Sequence, residues 1–91
     1  MASLETIDHA TRFYASTCPV CRGLALEAFV TARSVQIECG SCGGYGITAE
    51  ARSMISKRSE GLRKEWLAQA RHHASSNRHI ALVDAANEPK L

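Results

Sequence analysis

The residues of this chain whose type and spacing can do chemistry are its four cysteines. They fall in two pairs, Cys18-Pro19-Val20-Cys21 and Cys39-Gly40-Ser41-Cys42, which together read C-x2-C-x17-C-x2-C. Two residues between cysteines let one tight turn present both sulfurs to a common point, and Zn²⁺ takes four tetrahedral ligands with sulfur at about 2.3 Å. The separation of the pairs lies within the range of structural zinc sites. The expected cofactor is therefore one Zn²⁺ per chain, held by Cys18, Cys21, Cys39 and Cys42. Turns of this kind aim backbone N–H groups at the thiolates. Four thiolates on a divalent ion still leave net negative charge, which Arg22, Arg12 or Arg33 would offset.

Other thiol chemistries compete with this one. A thioredoxin-type dithiol needs a βαβ context with its first cysteine at a helix N-terminus, whereas the neighbours here read as strands. Iron in a rubredoxin-like site shares the four-cysteine geometry, and the ligands alone do not separate it from zinc. The chain lacks the acidic, aromatic-rich composition of rubredoxins. A catalytic zinc keeps an open position beside three protein ligands, and four thiolates close it. No Ser/His/Asp set, phosphate-cradling loop or carboxylate pair is legible, so the chain reads as a binding protein and not an enzyme.

The elements that must position the cysteines follow from periodicity. Leu24 to Val30 and Val35 to Cys39 read as two short strands joined by the polar turn Thr31 to Ser34, the second alternating apolar and polar as a half-buried strand does. A hairpin of these strands brings the two cysteine pairs to its open end. Gly40, Gly43, Gly44 and Gly46 form a glycine-dense return able to supply the positive φ angles of a tight knuckle, and the chain then enters a third short strand. Ser3 caps a short first helix on which Leu4, Ile7, Ala10 or Thr11, and Tyr14 recur at helical spacing. Thr48 is an N-cap, with Glu50 in the first turn where the helix dipole favours an acid. Ala51, Ile55, Leu62, Trp66 and His73 share one face of a continuous helix. Ser59-Glu60-Gly61 interrupts it, giving helices over 49–58 and 60–74. The run 79–83 reads equally as a strand or a short helix, and 85–91 as a loose tail.

In Cys18-Pro19-x-Cys21 and Ile37-x-Cys39-x-x-Cys42-Gly43-x-Tyr45-x-Ile47-Thr48-x-x-Ala51 the chain resembles the small zinc ribbons of bacterial and phage proteins, over residues 17–55. The resemblance implies a zinc-ribbon hairpin running into a helix and a structural metal. It departs from the pattern at one place: the glycine usual after the second cysteine is Arg22 here, with Gly23 displaced by one. Zinc ribbons serve many roles, so the fold implies little about function.

Length and composition are consistent with such a module. Ninety-one residues make one domain, expected to be α+β with the ribbon at 17–48, an N-terminal helix and a C-terminal helical segment. Two Phe, two Tyr and one Trp give few large core anchors, and a chain so short benefits from a metal staple. The N-terminus lacks a signal-peptide pattern and no run of about eighteen apolar residues occurs. A cytoplasmic location without membrane insertion is expected, where thiols stay reduced.

The formal net charge of +2 permits contact with nucleic acid without requiring it. Arg52, Lys57, Arg63, Lys64 and Arg71 share a broad helical face opposite Ile55, Leu62 and Trp66. That face is either a phosphate-contacting surface or an ordinary solvated one, and on either reading reversing Arg63 and Lys64 should leave folding intact. No aromatics interleave with these cations, which disfavours stacking on single strands. His72, His73 and His79 lack the spacing of a second metal site. Met54 and Leu67 lie off the apolar stripe and are candidates for contact with another chain. The leading reading is a protein–protein interaction or regulatory module that binds a larger partner. DNA or RNA binding is the alternative, and homodimerisation is compatible with either. A phage accessory inhibitor of a host system, such as an anti-CRISPR protein, is a further form.

Overall fold

The computed structural model describes residues 12–77 and 80–89. Its strands are β1 (Tyr14–Thr17), β2 (Leu24–Thr31), β3 (Ser34–Cys39), β4 (Gly43–Thr48) and β5 (Leu82–Val83), and its helices are α1 (Ala49–Ile55) and α2 (Glu60–Asn77). The five strands form one sheet in the order β1-β2-β3-β4-β5. The first four pair antiparallel as a meander, and β5 returns parallel to β4 after the two helices. No helix among the described residues is long and apolar enough to cross a membrane.

Strand alternation decides which side chains meet the helices. Register pairs Ile37 with both Glu27 and Tyr45, Cys39 with Ala25 and Gly43, and Ile47 with Val83. Side chains opposite one another in register share a sheet face, so these residues form the inner face, and all but Gly43 are buried. Ala51 and Ile55 of α1 and Trp66, Leu67 and Ala70 of α2 close the core over it. Of the hairpin's large apolar residues, Ile37 is buried and Val35 partly so, whereas Leu24, Leu26 and Phe29 are exposed.

Glu27 is the polar member of the inner face. Arg52 Nη2 lies 2.8 Å from its Oε1, and the Ser16 and Tyr14 hydroxyls donate to its carboxylate at 2.7 and 2.9 Å. Arg52 holds the carboxyl down to about 2 against burial, with help from the two hydroxyls.

Thr48 caps α1 as expected, its Oγ1 accepting from Ala51 N at 3.1 Å. The helical stretch does divide in two, but at residues 56–59. Ser59 Oγ accepts from Leu62 N at 3.3 Å at the start of the second helix. Gly61 therefore lies in the first turn of α2, where an added Cβ would meet open space. The break resets the helical phase, so a stripe counted continuously from Ala51 points α2 wrongly. Arg63, Trp66, Leu67 and Ala70 are buried, Leu62 is half-buried and His73 is exposed. Leu67 and the half-buried Met54 belong to the core region and are not spare surface residues.

Two further expectations are corrected and one open alternative is settled. Tyr14 begins an edge strand instead of closing an N-terminal helix, Arg12 and Phe13 before it are not helical, and residues 1–11 lie outside the described residues. The 79–83 run resolves at Leu82–Val83 as a strand; His79 lies outside the described residues. Gly46 N donates to Ala81 O at 2.7 Å. A Cβ on Gly46 would come within 3.2 Å of Leu82 Cδ1, so glycine permits this close approach. The expected loose tail is fastened through residue 88. Ala85–Asn87 is a 3₁₀ turn with a reciprocal Asp84–Asn87 cap. Trp66 Nε1 donates to Asp84 O at 3.1 Å and to Asn87 Oδ1 at 2.8 Å, and Arg58 Nε pairs with Glu88 at 2.6 Å.

Candidate metal centre

The two cysteine pairs sit in the β1–β2 and β3–β4 turns. Both turns lie at the same end of the sheet, because Ala25 at the start of β2 stands beside Cys39 at the end of β3. The sulfurs of Cys18, Cys21, Cys39 and Cys42 all lie within 4.8 Å of one another. All four cysteines are free thiols.

The turns are built alike. In the first, Arg22 N donates to Cys18 O and Cys18 N to Gly23 O, each at 2.8 Å. Gly23 N also donates to Cys21 Sγ at 3.4 Å. In the second, Cys42 N donates to Cys39 Sγ at 3.4 Å. The residue directly after each second cysteine has a left-handed backbone, with φ +66° at Arg22 and +83° at Gly43. The position after Cys21, where the resemblance led to an expectation of glycine, thus has a backbone conformation that favours glycine although arginine occupies it. In each pair the leading cysteine is buried (Cys18, Cys39) and the second half-buried (Cys21, Cys42).

The donor set fits one metal ion. A tetrahedron with sulfur arms of about 2.3 Å has edges of about 3.8 Å, close to the 3.5 Å between the sulfurs of Cys21 and Cys39. The thiols also conflict electrostatically without a cation. Burial pushes Cys18 up, but the Cys21 N–H, the Tyr45 hydroxyl and the Val20 N–H outweigh it and bring Cys18 down to about 7. Burial and the neighbouring Cys21 and Cys18 sulfurs push Cys42 strongly upward. One thiolate therefore opposes the next, and a bound divalent ion reverses that logic by favouring deprotonation of all its ligands. Among the described residues this is the one group of three or more potential ligands close enough to share an ion.

Periodicity and spacing did not identify several side chains that support the site. Tyr45 is buried, with its Oη 3.1 Å from Cys18 Sγ. Burial and the Cys18 sulfur raise its own pKa. Arg63 Nε donates to Val20 O, inside the first pair, at 2.7 Å. Arg71 Nη2 donates to Cys42 O and, at 3.4 Å, to Gly44 O. The cations expected near the sulfurs lie elsewhere. Arg22 donates to Ser56 O at 2.9 Å, and Arg33 occupies the β2–β3 turn at the far end of the hairpin. Arg12 precedes β1, whose other end leads to Cys18.

The supposed basic face is largely consumed by the fold. Arg52 pairs with Glu27, Arg63 is buried against Val20, and Arg71 is tied to the second turn. Lys64 pairs with Glu60 at 3.0 Å within one helical turn, and Lys57 is exposed. Arg63 is thus not opposite the apolar face. It belongs to the buried side of α2, which corrects the expectation that its reversal is harmless. His72 and His73 stack edge to face at 6.4 Å.

Four converging thiols make this end of the protein a site able to hold one metal ion in a closed, structural setting. Comparison of the chain with family models, curated proteins and solved structures gave no match.

Proposed function

We propose that this chain is a structural-zinc module of the zinc-ribbon kind that acts by binding a larger protein partner and not by catalysis. The observation that carries the metal half is the convergence of Cys18, Cys21, Cys39 and Cys42 within 4.8 Å. Four thiolates fill the positions of a tetrahedral ion and leave none for substrate. When bound, the ion crosslinks the β1–β2 and β3–β4 turns. Elemental analysis of purified protein should give one zinc per chain; iron, or two zinc ions, would overturn this assignment.

The partner half is supported by a contrast in surface chemistry. On β2, Leu24, Leu26 and Val30 are 90%, 48% and 60% exposed at positions alternate to buried Ala25 and Glu27, apolar side chains on the sheet's other face suited to another protein. The cations that would have formed a phosphate-binding face are mostly engaged within the fold. Retention of one cellular protein in high salt, lost when Leu24 and Leu26 are changed to Ser, is the expected result. Salt-sensitive binding to random duplex DNA would instead favour the nucleic-acid alternative, with Lys57 and Lys64 as the exposed contacts left to it.

A further inference from the structure

We propose that Arg63 and Arg71 are positioning residues of the metal centre, which let α2 hold both cysteine turns ready for the ion. The inference rests on the metal reading above and assigns a role to two arginines that periodicity had placed on a nucleic-acid face.

The first contact sets a peptide plane. In a trans peptide, C=O and the following N–H point in opposite directions within one rigid plane. The described chain has no cis peptides. The plane joining Val20 to Cys21 has its carbonyl held from outside by Arg63 Nε at 2.7 Å. Its N–H, that of Cys21, then points away from Arg63, opposite to the carbonyl. Arg63 is itself fixed, because its Nη1 donates to Arg58 O at 2.7 Å and its residue is buried.

The second contact braces the left-handed turn. Arg71 Nη2 reaches Cys42 O and Gly44 O, the carbonyls on either side of Gly43. The same nitrogen lies 3.0 Å from where a Cβ on Gly43 would stand. Arg63 and Arg71 are eight positions apart on one helix, just over two turns, so a single rigid element registers both turns. Their guanidiniums also bring permanent positive charge to a site whose four thiolates exceed the charge of one divalent ion.

Arg71 is exposed, so its replacement removes the contact without opening the core. The experiment uses the full chain with Co²⁺ as the probe, followed by its thiolate charge-transfer band in competition with a chelator at fixed pH. Arg71→Gln should weaken the metal affinity about 10–100-fold, the usual effect of removing a partner that orients a ligand, with the metal-free melting temperature unchanged. Arg71→Lys keeps the charge and a donor but lacks the planar guanidinium, and should recover part of the loss. Arg63→Lys should weaken affinity similarly. Wild-type affinity in Arg71→Gln, or a loss matched by an equal fall in metal-free stability, would overturn the positioning role. Wild-type protein that develops no thiolate–cobalt band would overturn the metal reading itself, and this inference with it.

Discussion

The two cysteine turns of this protein make the same shape from different residues. Each presents a buried leading cysteine and a half-buried second one, followed by a left-handed residue, and each has a backbone carbonyl gripped by an arginine of α2. They differ in what enforces the shape. The first turn holds Arg22 at φ +66° and relies on a buried clamp, Arg63; the second relies on glycine at φ +83° and an exposed clamp, Arg71. Backbone conformation is thus the constant of the motif, and side-chain identity varies where another contact takes over. At Arg22 that contact is its bond to Ser56 O. At Gly43 a side chain is disfavoured by φ +83°, and its Cβ would stand 3.0 Å from Arg71 Nη2, which would have to give way.

The largest expected effect removes what the turns share. Cys39→Ser leaves three thiols around the ion and a hydroxyl where Cys42 N now meets sulfur. Structural zinc sites contribute apparent binding energies of roughly 10–16 kcal/mol, against net domain stabilities of roughly 5–15 kcal/mol. The mutant and the chelated wild type should both lose amide dispersion in NMR at the sheet end carrying the turns, while the core around Trp66 keeps a weakened cooperative melt. Acidification should act in the same direction, because protons compete with the ion for thiolates. A metal-free protein that keeps dispersed signals would show that the core around Trp66 holds the turns unaided.

The next effect separates the clamps from their neighbours on the helix. Arg63→Glu leaves Val20 O and Arg58 O without their donor and buries a carboxylate in its place. The expected cost is about 3–5 kcal/mol, as for other broken buried charge contacts. Lys64→Glu, one residue on but exposed, should stay within about 0.5 kcal/mol. Denaturant unfolding of the two single mutants measures the difference. Equal, small effects would mean that the first turn does not depend on its buried clamp.

Gly43→Ala tests the second turn. An L-residue in the left-handed region costs roughly 1–2 kcal/mol, and its Cβ would meet Arg71 Nη2 at 3.0 Å. A loss of about 2 kcal/mol in denaturant unfolding is expected. Gly40→Ala should have little effect by comparison, since no atom lies within 4 Å of its Cβ position and its φ is ordinary.

The ligands, the β2–β3 hairpin and the Thr48 cap were legible in the sequence because each rests on local spacing: paired cysteines, alternation over Val35–Cys39, and a capping residue before Ala49. What was not legible depends on contacts distant in sequence. β1 is a short, largely polar edge strand, and its pairing partner Leu24–Glu27 follows only after the first turn. The inward side of α2 depends on the phase reset at residues 56–59, which no single helical count reveals. Arg63 and Arg71 carry charge that composition assigns to solvent, yet the carbonyls they meet lie 43 and 29 residues away along the chain. The tail is fixed by Trp66 through a capping box at Asp84 and Asn87. That box is short enough to read from sequence, and its partner helix is not.

The smallest expected effect has the opposite sign. If backbone conformation is what the motif requires, glycine at position 22 should improve the first turn. Arg22→Gly relieves a left-handed L-residue, worth roughly 1–2 kcal/mol, but removes the exposed bond to Ser56 O, worth about 0.5–1 kcal/mol. It also frees the unfolded chain by up to about 1 kcal/mol. The terms nearly offset, so a net stabilisation of about 0.5 kcal/mol is expected in denaturant unfolding of the metal-loaded protein. Arg22→Ala separates the contributions, since it loses the Ser56 bond and keeps the strain, and should therefore destabilise. If Ala and Gly behaved alike, the side-chain bond and not the left-handed backbone would govern the first turn, and the likeness between the two turns would be one of outline only.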